Sequence, residues 1–481
     1  MKKNFVIFAL IISFAFSIIS CADEKKGDTP EMTTTQSGIS ATTNPVETTA
    51  LPVDLTLGLK KYTVTADRSK KLFEANFNFG ITHTHYMWEQ GYFDSVKNAT
   101  DLISSVSAVN NQHIMGWGAG NPWPSKDGPI NFSSIDSRIS LFKKLGGDMW
   151  LTFCQAPGWM KGAGDWEMEK SVLDEHIGDF AYMCAEIAKH FPEVTTFQVW
   201  NEFKGYWSSA KNEWDYERYT KMYNEVYKAV KAVRPDAKIG GFYIVLEGDG
   251  TRAEFGIQGT HDYTPLNEFQ RRAIKYWCEN AEGADYILVD RGIIDYHNSN
   301  FKPTAEQAII LTKYYQKVTK EIAELTELPI VYSEYYGSIS DQPVNGAFTG
   351  AQYASVCYNM IMGAGGRDTT ALLWMEAENN IKHALFTDTA PGGGKPTPHF
   401  NAMKYLTDNF PAGTALYDVQ ILSDGVTPGK INDKLEVLAS DKCTYVINKT
   451  NEDIYVETDG VINILPAYGV QAYDISGHPM S

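Results

Sequence analysis

Short apolar runs alternate with longer stretches of helical periodicity from Phe77 to about residue 410. This alternation is typical of repeated βα units and of a parallel sheet. Eight candidate strands fit the pattern, at Phe77–Thr82, His113–Trp117, Met149–Cys154, Thr196–Trp200, Lys238–Val245, Gly292–Tyr296, Pro329–Ser333 and Thr370–Trp374. Because eight such units close a barrel, residues 54–410 are predicted to form an α/β fold of the (β/α)8 TIM-barrel type rather than an open doubly wound sheet.

Helical patterns fill the intervals between these strands. The clearest pattern has its apolar residues along one face, at Leu173, Ile177, Phe180, Cys184 and Ile187. A second helix is predicted from Trp214 to Val233, before Pro235, and the last, Phe400–Asn409, ends before Pro411. Both ends agree with the steric conflict between proline and the helical turn that precedes it.

Beyond Pro411 the pattern changes to short alternating segments separated by turn residues. Four strands are predicted, at Leu435–Leu438, Thr444–Asn448, Ile454–Thr458 and Val470–Ile475. Such a pattern is typical of an accessory antiparallel β-sandwich, here over residues 411–481. The strand-like segment Thr56–Thr65 precedes the first barrel strand, so residues 54–75 are a candidate to join the sandwich.

The chain begins with an export sequence over residues 1–20. Lys2 and Lys3 precede an apolar run, Phe5–Ile19, that is too short for an ordinary membrane span. Ile18-Ile19-Ser20-Cys21 resembles a bacterial lipobox, in which Cys21 would be lipidated, and a plain secretory signal is the alternative. Residues 21–53 are rich in Ser, Thr and Pro, which predicts a flexible tether. We therefore expect an extracytoplasmic protein on the bacterial cell envelope, at the cell surface, with a lipid anchor as its membrane contact.

Composition excludes some partners and favours others. The chain of 481 residues carries 42 Lys+Arg against 59 Asp+Glu, a formal charge of −17. This charge repels nucleic acid and argues against a polybasic binder. Aromatic residues make up 13% of the chain, with 27 Tyr and 11 Trp. Flat apolar rings with a polar edge suit carbohydrate, although they also serve ordinary cores.

Nothing in the sequence indicates a cofactor or a metal. The six cysteines, at 21, 154, 184, 278, 357 and 443, form no CxxC spacing and are expected to be buried thiols. Gly116–Gly120 is glycine-rich, but Trp117 within it makes a phosphate cradle improbable. His83 and His85 lack a third ligand with recognisable spacing.

Two carboxylates stand where a barrel enzyme places its chemistry, at the carboxyl ends of strands. Glu202 follows the predicted fourth strand and Glu334 ends the seventh. Glycoside hydrolysis needs two facing carboxyl groups, and a separation near 5 Å makes the second one a nucleophile, with net retention of configuration. Burial and mutual repulsion are expected to raise the pKa of the acid, while hydrogen bonds keep the nucleophile ionised.

The triplet Trp200-Asn201-Glu202, together with Glu334, resembles the retaining glycoside hydrolases of clan A, and among them family 39, the β-xylosidases and α-iduronidases. The segment Ala156–Met160 and the pair Tyr296-His297 add to the resemblance. It implies that Glu202 is the acid/base, Glu334 the nucleophile and Asn201 a partner of the sugar 2-hydroxyl. It also implies that Tyr296 or His297 orients Glu334.

Other residues are candidates for a sugar pocket because they lie beyond predicted strand ends. These are His83, His85, Trp117, Trp123, Trp159, Trp374 and Glu376. Histidine hydrogen-bonds hydroxyl groups and tryptophan stacks on sugar rings. The alternative for each is an ordinary place in the barrel wall, or a loop charge for Glu376.

The sequence thus predicts a lipid-anchored retaining glycosidase that cleaves extracellular oligo- or polysaccharide, with β-xyloside or arabinoside-type pentose glycans preferred. An endo-acting glycanase on the same barrel is one alternative. A non-catalytic surface glycan-binding lipoprotein is another, although a pure binder has no use for a repelling, desolvated carboxyl pair. The sequence makes no prediction of oligomeric state.

Overall fold

A closed barrel of eight parallel strands is the centre of the computed structural model. The structure describes residues 53–246, 266–291, 304–337, 342–343, 345–375, 383–423 and 434–481. The predicted export sequence, Cys21 and the predicted tether lie outside the described residues, as do the predicted strand Gly292–Tyr296, His297 and Glu376.

The strands are numbered in chain order. They are β1 (Lys60–Ala75), β2 (Phe77–Thr82), β3 (Val109–His113), β4 (Asp148–Phe153), β5 (Thr196–Val199), β6 (Trp207–Ser208), β7 (Glu213–Trp214), β8 (Lys238–Val245), β9 (Tyr286–Arg291), β10 (Ile330–Tyr335), β11 (Thr369–Leu373), β12 (Thr414–Ser423), β13 (Leu435–Ala439), β14 (Cys443–Asn448), β15 (Ile454–Thr458), β16 (Val461–Leu465) and β17 (Val470–Asp474). The barrel order is β2-β3-β4-β5-β8-β9-β10-β11, with β11 pairing back to β2. The predicted fold class is confirmed.

Two barrel strands differ from their predicted positions. The second was predicted at His113–Trp117 and lies at Val109–His113. Its residues Asn110, Asn111 and Gln112 are polar yet completely buried, so no apolar run marks the strand. The sixth was predicted at Gly292–Tyr296, whereas the barrel closes through Tyr286–Arg291.

A hydrogen-bonded polar layer crosses the barrel interior and makes the buried polar strand possible. Asn111 Nδ2 donates to Thr82 Oγ1 at 2.8 Å and to Thr152 Oγ1 at 2.9 Å. Gln198 Oε1 accepts from Thr152 Oγ1 at 3.0 Å and from Ser333 Oγ at 2.9 Å. Buried polar groups are tolerated when they are paired in this way, and the pairs tie together β2, β3, β4, β5 and β10.

Helices surround the barrel and are also numbered in chain order. They are α1 (Phe93–Ser104), α2 (Ser133–Leu145), α3 (Gly158–Lys161), α4 (Ile177–His190), α5 (Tyr216–Val233), α6 (Glu268–Asn280), α7 (Ala305–Ile310), α8 (Lys313–Leu325), α9 (Ala347–Ala364) and α10 (Pro398–Asn409). Short 3-10 helices lie at Leu55–Leu57, His85–Trp88 and Asp174–His176. In the described part of the chain, no helix combines the length and the apolar composition that crossing a bilayer requires.

Helix ends follow the local chemistry of the sequence. Helix α5 begins after Asp215, whose side chain accepts from the backbone N–H of Arg218. It ends at Val233, the residue predicted from the position of Pro235. Helix α6 has a reciprocal capping box between Asn267 and Gln270. Such caps satisfy backbone N–H groups that have no partner within the helix.

Two small sheets lie beside the barrel, in the orders β12-β1-β15-β16 and β13-β14-β17, and β6 and β7 pair with each other as a separate two-stranded sheet. Apolar side chains from both sheets share a core that includes Tyr62, Val64, Val437, Val446 and Val456. Strand β1 pairs antiparallel with β12 and parallel with β15, and then leads directly into barrel strand β2. The strand before the barrel therefore belongs to the same sheet as strands from the end of the chain.

A buried ion pair joins the small sheets to helix α9. Glu436 in β13 accepts from Lys449 Nζ at 2.7 Å and from Asn359 Nδ2 at 3.0 Å. Ser355 of α9 also donates to this carboxylate. The side chain of Lys449 is 0% exposed and that of Glu436 is 7% exposed. Removing one partner of such a pair leaves the other charged group buried without compensation.

The substitution Glu436→Leu is therefore expected to lower the free energy of unfolding by about 3–5 kcal/mol. The double variant Glu436→Leu/Lys449→Met removes both charges and should recover most of that loss. Urea unfolding monitored by circular dichroism measures both values.

Glu452→Gln serves as the control, because it breaks the solvent-exposed pair Lys60–Glu452 and should leave the unfolding midpoint unchanged. Equal losses in the single and double variants would contradict the role assigned to the pair.

Candidate active site

Three carboxyl groups converge at the carboxyl ends of the barrel strands. Glu202 lies in the turn after β5, Asp290 near the end of β9 and Glu334 near the end of β10. Glu334 and Asp290 are register partners on neighbouring parallel strands. Each of the three residues offers a carboxylate oxygen, and these oxygens all lie within 4.8 Å of one another. The two predicted carboxylates therefore do meet, and a third joins them.

The turn that carries Glu202 is strained. Trp200, Glu202 and Phe203 have positive φ values of 71°, 48° and 56°. Such conformations cost of order 1–3 kcal/mol each in non-glycine residues and occur at functional sites, where surrounding packing holds them. Trp200 Nε1 donates to the carbonyl of Lys204 at 2.8 Å, which closes the turn. Phe203 is 1% exposed and packs on Tyr219 and Phe242.

A close approach of two loops supports the same turn. Gly205 has φ of 79°, and a Cβ at this position would lie 2.0 Å from the backbone nitrogen of Ser171. Only glycine fits both the conformation and the contact. The loop after β5 is thus held against the segment around Ser171. Both this loop contact and the barrel strand β5 therefore fix the position of Glu202.

Glu334 accepts hydrogen bonds on both oxygens. Tyr243, from β8, donates to Oε1 at 2.8 Å, and Tyr336 donates to Oε2. His83 Nε2 lies 3.5 Å from Oε1. Hydroxyl donors stabilise an ionised carboxylate and fix its orientation. The resemblance gave this orienting role to Tyr296 or His297, which lie outside the described residues; in the described part of the chain two other tyrosines fill it.

Glu202 pairs with a cation. Its Oε2 lies 2.5 Å from Lys204 Nζ, two residues along the same turn. Asn201 Nδ2 donates to the same oxygen at 3.3 Å, and a carboxylate oxygen of Asp290 lies within 4.8 Å of one of Glu202. The Oδ1 atom of Asn201 is buried and has no hydrogen-bond partner among the described residues, so it is available to a ligand hydroxyl.

The three carboxyl groups have divergent pKa values. Burial raises the pKa of Glu202, but the charge of Lys204 and the hydrogen bonds outweigh it and lower the pKa to about 2. Burial, followed by the charge of Glu202, raises the pKa of Glu334 to about 8 against the opposing effect of Lys204 and the two tyrosines. Burial also raises the pKa of Asp290 well above its usual range, with the hydrogen bond and charge of Glu202 adding to it.

This order of pKa values reverses the expectation from the sequence, which had the pKa of Glu202 raised and Glu334 ionised. The physical reason is Lys204. Burial lowers the pKa of the Lys204 ammonium group, but the charge of Glu202 and their hydrogen bond raise it overall. A charged ammonium group at hydrogen-bond distance favours the ionised form of Glu202. Burial therefore protonates Asp290 and Glu334 in preference to Glu202.

A histidine pair forms one wall of the site. The rings of His83 and His113 lie 4.2 Å apart between centroids, and the Trp117 ring meets both edge-on at 4.5 and 4.6 Å. Burial lowers the pKa of His113 to about 3 and that of His83 well below its usual value. Both rings are therefore neutral. Neither ring nitrogen of His113 has a hydrogen-bond partner among the described residues.

The other predicted pocket residues lie in three places. The Trp374 ring lies 5.9 Å from that of Tyr336, so it stands beside the carboxyl groups. Trp159 contacts Trp123 and donates from Nε1 to its carbonyl at 2.9 Å. His85 is completely buried, with Nε2 3.0 Å from Asn110 Oδ1 and its ring between Trp88 and Phe142. The structure thus brings His83, Trp117 and Trp374 to the site and places His85 in the packing between barrel and helices.

Among the described residues, two sets of side chains could offer ligands to a metal ion, His83 with His113 and Glu334, and Glu202 with Asp290 and Glu334. In the second set, the Lys204 ammonium group already supplies a positive charge at 2.5 Å from Glu202. A cation bound there would be repelled by Lys204. Neutral histidines and a hydroxyl-stabilised carboxylate also suit an uncharged hydroxylated ligand.

Sequence reasoning missed Asp290, Lys204, His113, Tyr243 and Tyr336 as site residues. Asp290 carries the same signature as Glu334, an acidic residue after the apolar run Tyr286–Val289. A second apolar run, Gly292–Ile294, follows directly and drew the predicted strand to the wrong place. Lys204 could have been found from its position two residues after Glu202 in a turn.

No protein-family model and no curated protein matches the chain. Solved structures match it in fold. A conserved exported protein from Bacteroides fragilis has a TM-score of 0.59 and 13% identity, over 85% of this chain and 99% of that one. A GH39 β-xylosidase from Caulobacter crescentus has a TM-score of 0.51 and 14% identity, over 82% and 83%. The catalytic domain of GH30 xylanase C from Talaromyces cellulolyticus has a TM-score of 0.52 and 10% identity, over 82% and 88%. The chain has the barrel fold of these glycoside hydrolases.

Glu334→Gln is expected to reduce the loss of stability at high pH. The pKa of Glu334 rises from 4.5 to about 8 on folding, so its contribution to stability is complete below pH 4.5 and is lost as the pH rises through 8. The free energy of unfolding of the wild type should fall over that window, and the fall should be smaller in Glu334→Gln. Urea unfolding at a series of pH values measures the difference.

Glu202→Gln is the internal control of opposite sign. The pKa of Glu202 falls from 4.5 to about 2, so this residue contributes stability above pH 4.5 that is lost as the pH drops through 2. The variant should therefore be less stable than the wild type at neutral pH. Parallel pH profiles for all three proteins would show that neither carboxyl group is perturbed.

Proposed function

We propose that the protein is a retaining glycoside hydrolase that cleaves extracellular oligo- or polysaccharide by double displacement. The observation that carries the proposal is the convergence of the Glu202 and Glu334 carboxylate oxygens to within 4.8 Å at the barrel mouth. This spacing leaves no room for a water molecule between an acid and a base, which favours direct attack by one carboxylate on the sugar. The fold shared with glycoside hydrolases supports it.

In the first step, Glu334 attacks the anomeric carbon and the bond to the glycosidic oxygen breaks. Glu334 attacks in its ionised form, which becomes the major form above its pKa of about 8, and Tyr243 and Tyr336 hold the carboxylate in place. Glu202, which its pKa of about 2 leaves ionised in the free protein, first acquires a proton and then delivers it to the departing oxygen. Two-carboxylate chemistry of this kind requires opposite protonation states for the two groups.

In the second step, Glu202 takes a proton from a water molecule, and the water oxygen attacks the anomeric carbon of the glycosyl ester. The ester bond to Glu334 breaks, and the sugar leaves with its original configuration. Asn201, His83 and His113 are proposed to hydrogen-bond sugar hydroxyls, since Asn201 Oδ1 and the His113 nitrogens are buried without partners among the described residues. Trp117 and Trp374 are proposed to line the sugar ring.

The preferred substrates are β-xylosides or arabinoside-type pentose glycans. The resemblance of Trp200-Asn201-Glu202 and Glu334 to family 39 supports this choice, as does the fold shared with a β-xylosidase. We further propose that the protein is exported and anchored by lipid at Cys21. The exported protein among its structural neighbours supports export.

Two alternatives have distinct outcomes. An endo-acting glycanase would release oligosaccharides first, whereas exo action releases monomer from the earliest minutes. A non-catalytic glycan-binding protein would retain glycans on an affinity column without product. The strained turn that presents Glu202 favours an enzyme, because strain of this kind is characteristic of sites that need exact positioning.

The proposal is tested with a panel of aryl glycosides and cell-wall polysaccharides. Wild type should release sugar, Glu334→Gln should be inactive, and Glu202→Gln should lose about 10²- to 10⁴-fold on natural glycosides, the usual contribution of a general acid. Proton NMR of the first product should show the anomer of the substrate.

A slow 2-fluoro glycoside identifies the nucleophile, because it traps the ester for peptide mass spectrometry. Label on Glu334 supports the assigned roles, and label on Glu202 would exchange them. A chelator should leave the rate unchanged, since no step uses a metal. Wild-type turnover in Glu334→Gln would refute the proposal.

A further inference from the structure

We infer that Asp290 is the residue that stores the catalytic proton and loads it onto Glu202, which makes it a positioning residue that acts through the acid/base. The inference rests on the proposed function and deepens it. It adds a third carboxyl group to a two-carboxylate reaction. It also explains how an acid held ionised by a lysine can act as an acid.

The geometry places Asp290 beside Glu202. Asp290 is 2% exposed. Its carboxylate oxygen lies within 4.8 Å of those of Glu202 and Glu334. Carboxyl groups this close can share a proton through a hydrogen bond when one of them is protonated. Asp290 is therefore placed to exchange a proton with Glu202.

The charge balance of the site requires a proton on one of the carboxyl groups. Against three carboxyl groups the described residues place one ammonium group, Lys204, while His83 and His113 are kept neutral by burial. With Glu202 paired to Lys204, ionised Asp290 and Glu334 would be two buried charges without a counter-ion, at several kcal/mol for each uncompensated ion. At least one carboxyl group must be protonated.

The neighbours of each carboxyl group decide where the proton stays. Lys204 bonds to Glu202 and favours its ionised form. Tyr243 and Tyr336 donate to Glu334 and favour its ionised form. Asp290 lies beside the negative charges of Glu202 and Glu334, and burial together with these charges raises its pKa against the opposing charge of Lys204. Protonation therefore costs less free energy at Asp290 than at Glu202 or Glu334.

The proton balance closes over one turnover. The Asp290 O–H bond breaks and its proton passes to Glu202. Glu202 then passes a proton to the glycosidic oxygen as the bond to the anomeric carbon breaks. In the second step, water loses a proton to Glu202, and that proton returns to Asp290. No other reactant is needed.

The test compares wild type with Asp290→Asn, which keeps a neutral hydrogen-bond donor of the same shape and removes the transferable proton. Hydrolysis of alkyl glycosides or natural glycans, which need a proton on the leaving oxygen, should fall about 10²-fold. Hydrolysis of a dinitrophenyl glycoside, whose phenolate leaves without a proton, should stay within about two-fold. The high-pH limb of kcat/KM on natural glycans should move to lower pH, because Glu202 beside Lys204 loses its own proton earlier.

Asp285→Asn is the matched control. Asp285 lies immediately before β9, at the opposite end from Asp290, and accepts from the backbone N–H of Ile239 at 2.8 Å. The same substitution there should change neither the dependence on leaving group nor the pH profile. A second variant, Asp290→Asn/Lys204→Met, should recover activity on natural glycans, because Glu202 without Lys204 keeps its own proton.

The outcomes separate this inference from the proposed function. Suppose that wild type is active and Glu334→Gln is inactive. If Asp290→Asn then loses activity equally on both kinds of substrate, or on neither, the role of Asp290 is overturned and the proposed hydrolase function stands. An inactive wild type would refute the hydrolase. Infrared spectroscopy of the full chain at neutral pH tests whether Asp290 is protonated. The C=O stretching band of protonated carboxyl groups should be smaller in Asp290→Asn than in wild type and in Asp285→Asn. An unchanged band overturns the inference.

Discussion

Among the described residues, three carboxyl groups crowd against one ammonium group at the barrel mouth, and the electrostatics of the site follow from this crowding. Glu202, Asp290 and Glu334 come within 4.8 Å of one another because parallel strands end at the same edge of the barrel. Their repulsion in a desolvated site cannot be relieved by solvent, so it is relieved by protons, by Lys204 and by tyrosine hydroxyls. Protonation states are thereby assigned residue by residue before any ligand enters.

The scaffold maintains this crowding through two devices. Below the carboxyl groups, the polar layer that includes Asn111, Gln198 and Ser333 locks neighbouring strands in register. Beside them, the strained turn around Glu202 is closed by a Trp200 hydrogen bond and by the fit of Gly205 against Ser171. A looser frame would let the carboxyl groups separate and return to ordinary pKa values.

The sequence predicted the barrel and its two glutamates because both follow clear apolar runs, and strands β2 and β8 lie at their predicted bounds. The prediction failed where hydrophobic periodicity does not mark the element or the residue. Strand β3 is built from buried polar residues whose partners come from distant strands, so its pattern cannot be read locally. Asp290 was hidden by the second of two adjacent apolar runs. The pKa order was wrong because the effect of Lys204 depends on a side-chain distance that no spacing encodes.

The pairing of β1 has a consequence for the order in which the chain folds. Lys60 at the start of β1 bonds to Glu452, which is 392 positions away, and β1 also pairs along its length with β12. A strand of 16 residues must therefore wait for partners that are made much later in the chain. During synthesis, that strand is an unpaired edge next to the first barrel strand, open to pairing with other chains. Completion of the C-terminal strands is thus the event that protects the newly made protein from aggregation.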